Sequence, residues 1–116
     1  MKLILSFIRP FKLDEVALQL ERVPRFPGMT VTEARGFGRE HMLAPAQSLA
    51  EELDEFTDKV QIETIVRDEQ VEEVLSVIAR AAHTGRDGDG MIFVLPVERA
   101  VRIATGQGPD AHTPYE

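Results

Sequence analysis

The order strand, helix, strand occurs twice along the sequence, and this repetition limits the chain to few folds. In the first half, residues 3–8 form an apolar run that ends at Arg9 and Pro10, as expected for a buried strand. Residues 29–34 are rich in β-branched side chains and predict a second strand. The helix between them is indicated by apolar residues at helical spacing, namely Leu13, Val16, Leu20 and Val23.

The second half of the chain repeats this order. Residues 60–66 alternate between apolar and polar side chains like a strand, and Asp68 and Glu69 open a second helix. Gly85 is placed to end that helix, and residues 91–97 predict a fourth strand. The apolar stripe of the second helix consists of Val71, Val74, Leu75, Ile78 and Ala82.

Two such units pack most simply as an α+β, ferredoxin-like double βαβ fold, in which a four-stranded antiparallel sheet has both helices on one face. The fourth strand has apolar residues on both faces, for example Ile92 and Phe93. Because the helices cover one face only, we expect the other face to contact another subunit in a homo-oligomer. We expect residues 1–105 to form this one domain, residues 100–103 to add a short edge element and residues 106–116 to form a flexible tail.

The composition argues against several classes of function. The 116 residues include 20 Asp and Glu but only 13 Lys and Arg, and the net charge of −7 argues against binding to nucleic acid or to anionic membranes. The lack of cysteine excludes disulfides and thiolate metal sites. No apolar run approaches the length of a membrane span, and the N-terminal run is too short for a signal peptide. We therefore expect a soluble, cytoplasmic protein.

The glycine-rich segment at residues 84–90 is the strongest candidate for an anion-binding site. Its three glycines let backbone N–H groups approach an anion, and Arg86 can bind phosphate. A helix cap followed by a turn explains the spacing equally well. The segment Gly36-Phe37-Gly38-Arg39 is a second candidate, and Arg102 could add a cation.

Neither a metal site nor an active site is indicated by the residues. His41, His83 and His112 are scattered without the spacing of metal ligands, and no nucleophile motif is present. We expect no metal site within one chain and no enzymatic activity. Residues 40–58 lose all periodicity, and a connection of that length is usually functional.

Taken together, these motifs resemble the PII signal-transduction proteins. The resemblance includes the run Arg-Pro-Phe-Lys-Leu-Asp-Glu-Val from position 9 and the segment Thr-Gly-Arg-Asp-Gly-Asp-Gly from position 84. It covers nearly the whole chain except the C-terminal tail. The matching segments are residues 8–16, 28–33, 36–39, 59–63, 84–90 and 101–103.

The resemblance implies a homotrimer of ferredoxin-like subunits with nucleotide clefts between neighbours. An adenine nucleotide (ADP, AMP or ATP) would bind between the segment at residues 84–90 and the base of the long T-loop, residues 38–58. The nucleotide-binding residues that the resemblance implies are Thr30, Gly36, Phe37, Gly38, Arg39, Glu40, Glu63, Ile65, Thr84, Gly85, Arg86, Gly88, Asp89, Gly90 and Arg102.

In this family the T-loop changes shape with the bound ligand and docks on partner proteins, among them membrane transporters and metabolic enzymes. The T-loop here contains no tyrosine, because the only tyrosine is Tyr115, so uridylylation cannot occur as in the nitrogen regulators. The residues implied in partner binding are His41, Leu43, Gln47, Ser48 and Glu52.

Three positions depart from the family pattern and change the expected ligands. Glu40 replaces a glutamine that, together with a lysine matched by Lys59, helps to hold Mg and 2-oxoglutarate. The carboxylate of Glu40 could ligate Mg but repels the dicarboxylic acid. Met91 and Ala104 replace cations that normally face phosphate, so we expect ATP to bind less well than ADP or AMP.

The leading hypothesis is a non-enzymatic regulator that senses adenine nucleotide and controls a transporter or an enzyme through its T-loop. One alternative is a metal-responsive module similar to the CutA proteins, or a purely protein-interaction module with a degenerate nucleotide cleft. His41 and the acidic T-loop motivate this alternative. Slow nucleotide hydrolysis that uses Glu40 and Mg ranks third.

Overall fold

The computed structural model describes residues 1–37 and 56–108. A short 3-10 turn precedes each helix, at Pro10–Lys12 and at Asp68–Gln70. The strands and helices follow in the order β1 (Lys2–Ile8), α1 (Leu13–Glu21), β2 (Thr30–Gly36), β3 (Thr57–Val66), α2 (Val71–Ala82) and β4 (Gly90–Pro96).

The four strands form one sheet in the order β2-β3-β1-β4, and all neighbouring strands are antiparallel. Each half of the chain therefore contributes one central strand and one edge strand, and the strand of the other half lies between them. This arrangement confirms the predicted ferredoxin-like fold.

Both helices pack on one face of the sheet, where alternate strand residues are buried. Ile4 and Ile62 from the central strands are fully buried, as are Val16 and Leu20 of α1 and Ile78 of α2. Burying one such side chain stabilises the folded state by about 1.5–3 kcal/mol. The spacing of these residues in the sequence thus determines which face each element turns towards the core.

The opposite face of the sheet, here called the open face, carries a second set of apolar side chains. Phe7 of β1 and Phe93 of β4 meet edge to face, with ring centroids 6.5 Å apart. Phe93 is 44% exposed and its neighbour Met91 is 61% exposed. Exposed apolar surface of this kind is typical of a face that contacts another protein.

Several boundaries differ by one to three residues from the sequence prediction, and two of them concern a buried residue and a paired segment. Helix α1 ends at Glu21, so Val23, which is buried, lies after the helix rather than within it. Strand β3 begins at Thr57 rather than at residue 60, because Thr57 and Asp58 pair with the end of β2. Pairing with a neighbour extends the strand here through Asp58, whose side chain does not favour a strand.

Two further expectations are corrected by the backbone. Gly85 does not end α2: the helix ends at Ala82, His83 is already extended, and Gly85 lies farther on with φ of 86°. The edge element expected at residues 100–103 is not a strand. Within the described residues 97–108 the backbone forms turns, one of which is closed by the Gly106 N–H on the Arg102 carbonyl at 2.8 Å.

Candidate functional site

The glycine loop, residues 84–90, connects α2 to β4 and is organised around the carboxylate of Asp89. This carboxylate accepts hydrogen bonds from the Thr84 N–H at 2.7 Å and the Gly85 N–H at 2.9 Å, and also from the Thr84 hydroxyl. The Arg86 N–H donates to the Thr84 hydroxyl at 3.3 Å. Asp89 therefore shapes the loop from inside, with its oxygens already bonded to the loop's own donors.

These contacts also fix the charge of Asp89. The hydrogen bond from the Thr84 hydroxyl has the largest effect on the pKa of Asp89. The N–H groups of Thr84 and Gly85 and the Arg9 guanidinium lower this pKa further. Together they hold the pKa of Asp89 well below its ordinary value of 3.8, although partial burial acts in the opposite direction. The carboxylate is thus ionised at any physiological pH.

Two cations from the sheet hold the glycine loop from outside. Arg9, directly after β1, donates from Nε to Asp89 at 3.1 Å and from Nη2 to the carbonyl of Asp87 at 2.7 Å. Lys59 of β3 donates from Nζ to the carbonyl of Gly88. The loop is therefore attached to both central strands of the sheet.

Sequence reasoning missed the role of Arg9, which it treated only as the end of a strand. A signal was nevertheless present, because the predicted fold places β1 beside β4. Ile8 pairs with Gly90 in the observed register, so the next residue, Arg9, must lie beside Asp89. An arginine at that position can reach across to the loop with its long, forked side chain.

A groove of about 640 Å³ lies between the glycine loop and the ends of β2 and β3. Its walls include Gly36 at the end of β2, Phe37 directly after β2, Lys59 of β3, and Gly88 and Gly90 of the loop. The structure thus brings the two glycine-containing candidates together, with one lysine between them. Backbone N–H groups and a lysine in a partly apolar groove can bind a phosphate or a carboxylate.

Two glycines of the loop are required by their surroundings. Gly90 has φ of 115°, and a Cβ placed on it would lie 1.7 Å from the carbonyl oxygen of Phe7. Gly88 has φ of 92°, and its Cβ would lie 3.3 Å from Nη2 of Arg9. Side chains rarely adopt such φ values, so the backbone of this loop depends on glycine at both positions.

Four further candidate residues, namely Thr30, Glu63, Ile65 and Arg102, line a second pocket of about 460 Å³ at the far end of the sheet. Thr30 of β2 pairs directly with Glu63 of β3, and Ile65 and Arg102 complete the wall around them. The turn that carries Arg102 is closed by its N–H, which donates to the Gln107 carbonyl at 2.7 Å. This pocket offers the Thr30 hydroxyl, one carboxylate and one guanidinium beside apolar surface, whereas the hydroxyl of Thr64, which also lines it, donates to the Gly28 carbonyl.

The two pockets lie at opposite ends of the sheet. Lys59 lines the first and Glu63 the second, and four residues of extended chain span about 13 Å. Within one chain, the candidate residues therefore form two separate groups rather than one. Arg86 is exposed at the tip of the glycine loop.

Several candidate residues lie outside the described residues, so their expected roles stay predictions. They are Gly38, Arg39, Glu40, His41, Leu43, Gln47, Ser48 and Glu52.

Within residues 1–37 and 56–108, no group of three or more His, Cys, Asp or Glu side chains is arranged to hold a metal ion. In that same part of the chain, none of the helices has both the length and the apolar character needed to cross a membrane. His41 and most of the acidic T-loop, which motivate the metal-responsive alternative, lie outside the described residues.

Comparison with known proteins gives a consistent result over nearly the whole chain. Residues 1–107 match the family model described as "Nitrogen regulatory protein P-II". The chain is 51% identical over 112 residues to the nitrogen regulatory protein P-II of Azospirillum brasilense, covering 96% of this chain and 99% of that protein. It is 41% identical over 111 residues to the nitrogen regulatory protein GlnK of Escherichia coli K12, with 96% and 98% coverage.

Proposed function

The chain belongs to the P-II family of nitrogen regulatory proteins, and we propose from this that it is a non-enzymatic regulator that senses an adenine nucleotide. In this proposal the nucleotide binds in clefts between the subunits of a homotrimer. The T-loop, residues 38–58, then contacts a membrane transporter or a metabolic enzyme and controls its activity.

The observation that carries the nucleotide proposal is the groove in which the glycine loop faces Gly36, Phe37 and Lys59. Glycine-rich backbone beside a cation suits a phosphate group, since N–H groups and an ammonium both favour negative charge. The second pocket, with Thr30, Glu63 and Ile65, offers the polar and apolar contacts that a purine base and its ribose need. The groove and the second pocket lie at opposite ends of one sheet. A nucleotide could therefore contact the groove of one subunit and the second pocket of its neighbour, in a cleft between the two.

The charge of the groove favours a nucleotide with few phosphates. Met91 lines this groove, at the position where the family pattern has a lysine. Arg9 is paired with the carboxylate of Asp89 at 3.1 Å, so much of its charge is already compensated. Arg35, which also lines the groove, lies 3.9 Å from the carboxylate of Asp58, so part of its charge is compensated as well. Binding of ADP or AMP should therefore exceed binding of ATP, which carries more negative charge.

The open face supports the trimer. Phe93, Met91 and Leu95 of β4 are all at least 40% exposed in one chain, and they lie beside apolar residues of β1 on the same face. Burying such a patch between subunits would supply the association free energy.

Light scattering should give a mass of about 39 kDa, three times that of the 13.0 kDa chain. A mass of one chain would contradict the trimer. Phe93→Glu should dissociate it, whereas Leu18→Glu, at a half-exposed position on α1, should not.

The groove also gives the nucleotide a direct contact with the base of the T-loop. Gly36, Phe37 and Thr57 line the groove and flank residues 38–55 on both sides. A ligand there touches the residues from which the T-loop emerges, and it shifts the T-loop between conformations if it binds them with different affinity. Glu40 could bring Mg to this site, and its charge argues against 2-oxoglutarate as a co-effector.

Calorimetry with AMP, ADP, ATP and cyclic AMP, with and without Mg and 2-oxoglutarate, tests the proposal. We expect ADP or AMP to bind more tightly than ATP. Thr30→Val should weaken this binding, whereas Thr32→Val should not, because Thr32 lies on the same face of β2 but outside the pocket. Failure of every nucleotide to bind would contradict the proposal.

A further inference from the structure

The peptide between Asp87 and Gly88 is held in one orientation by Arg9. Its carbonyl accepts a hydrogen bond from Nη2 of Arg9 at 2.7 Å. The described peptides are all trans, and the N–H of a trans peptide points away from its C=O. The Gly88 N–H therefore points away from the guanidinium. Within residues 1–37 and 56–108, this N–H donates to no protein acceptor.

Arg9 can hold this peptide firmly because it is itself held at a second point. Its Nε donates to Asp89 at 3.1 Å, and Asp89 is fixed in turn by the N–H groups of Thr84 and Gly85. Both side chains of the Arg9–Asp89 pair are about three-quarters buried, at 25% and 23% exposure. A Cβ on Gly88 would come within 3.3 Å of the guanidinium, so the side chain lies tightly under the tip of the loop.

We propose that Arg9 is a positioning residue, which aims the Gly88 N–H at a phosphate oxygen of the bound nucleotide and does not itself contact the phosphate. The inference rests on the proposed function, since it assigns a role within that site. Two donors of one guanidinium act here on two acceptors of the loop, one carboxylate and one carbonyl. A lysine at this position would keep the charge but lose the fork that makes both bonds at once.

The proposal predicts different behaviour for ligands with and without phosphate. In Arg9→Gln, the Asp87–Gly88 peptide loses its fixed orientation, so ADP should bind about tenfold more weakly. Adenosine, which has no phosphate, should bind as it does to the wild-type protein. The ADP affinity of Arg9→Lys should lie between that of the wild-type protein and that of Arg9→Gln. Lys12→Gln is the matched control, because Lys12 belongs to the same segment but pairs with Glu15 at 3.3 Å, away from the loop.

Nuclear magnetic resonance of the full-length protein without nucleotide supplies a readout that does not depend on binding. In Arg9→Gln the amide resonance of Gly88 should shift, and the pKa of Asp89 should rise, since one of its hydrogen-bond donors is gone. Both should stay unchanged in Lys12→Gln. If Arg9→Gln does not fold, the same comparison is made with Arg9→Lys.

Three results would overturn the inference. The first is weaker ADP binding with an unchanged Gly88 resonance, which would mean that Arg9 contacts the phosphate itself. The second is an equal loss for ADP and adenosine, which would mean a general disturbance of the site. The third is unchanged ADP binding in Arg9→Gln. If the wild-type protein bound no nucleotide, the proposed function would fail, and the Gly88 resonance would still decide whether Arg9 positions the loop.

Discussion

Lys59 on β3 donates a hydrogen bond from its ammonium group to the backbone carbonyl of Gly88 in the glycine loop. Arg9 binds the preceding carbonyl, so two successive peptides of the loop turn their oxygens towards cations of the sheet. The position of the loop is therefore set by the sheet and is not a property of the glycines alone.

Replacing Lys59 should weaken ligand binding without unfolding the protein. Lys59→Met removes the cation from the groove but keeps most of the aliphatic stem, so the ADP affinity should fall about tenfold and the AMP affinity less. Calorimetry measures both. Lys12→Met controls for the loss of one positive charge elsewhere in the chain. An ADP affinity unchanged in Lys59→Met would contradict the assignment of Lys59 to the site.

Gly90→Ala should strongly destabilise the fold, because its Cβ would lie 1.7 Å from the Phe7 carbonyl oxygen, at a φ of 115°. We expect the free energy of unfolding to fall by more than about 3 kcal/mol. Gly106→Ala is the control, since Gly106 also has a positive φ of 69° but has no atom within 4 Å of the Cβ position. Gly106→Ala should lower the free energy of unfolding by about 1 kcal/mol. Urea denaturation measures the free energy of unfolding of both variants. Equal losses would show that the positive φ, and not the close approach to Phe7, determines the cost.

The pKa of Asp89 can be followed directly by carbon resonance of its carboxyl group. The midpoint should lie well below 3.8, and Thr84→Val should raise it, because the Thr84 hydroxyl is the largest cause of the lowering. A midpoint at or above 3.8 in the wild-type protein would contradict the hydrogen-bond network of the loop.

The same lowered pKa of Asp89 makes the stability of the protein depend on pH in one direction. The unfolded chain takes up the proton at a higher pH than the folded chain does, so folding is favoured while the group stays ionised. The contribution of Asp89 is complete above about pH 5 and is lost progressively as the pH falls below that value. Urea denaturation at several pH values measures this, and Asp89→Asn should reduce the pH dependence.

Two buried hydroxyls on the helix-covered face should respond differently to removal. Ser6 is fully buried, and in the described part of the chain its Oγ has no hydrogen-bond partner. Ser6→Ala should leave the free energy of unfolding unchanged or raise it by up to about 1 kcal/mol. Thr64 donates to the Gly28 carbonyl at 2.7 Å, so Thr64→Val should lower it by about 1–2 kcal/mol. A clear loss in Ser6→Ala would contradict this reading of the core.

The fold could be predicted because its information is local. Spacing in α1 and α2 identifies the helices, and alternate apolar residues along the strands indicate the face that these helices cover. The expected contact of the open face with another subunit stays a prediction. The start of β3 could not be predicted, since Thr57 becomes part of a strand only by pairing with Gly36, 21 positions earlier.

The site was predictable in its residue types but not in its connections. Glycines and an arginine at residues 84–90 suggested an anion loop, yet nothing within that segment shows what holds it. Asp89 accepts a hydrogen bond from Arg9, 80 positions away. Contacts across such a distance follow from the strand register: once β1 pairs with β4, Arg9 lies beside Asp89, but no residue within the loop itself indicates that partner.

The strand order has a consequence for how the chain folds during synthesis. β1 leaves the ribosome first, but its two partners in the sheet begin at Thr57 and Gly90. Until those segments emerge, the first strand has no neighbouring strand with which to pair. The sheet therefore closes late, after most of the chain has been made.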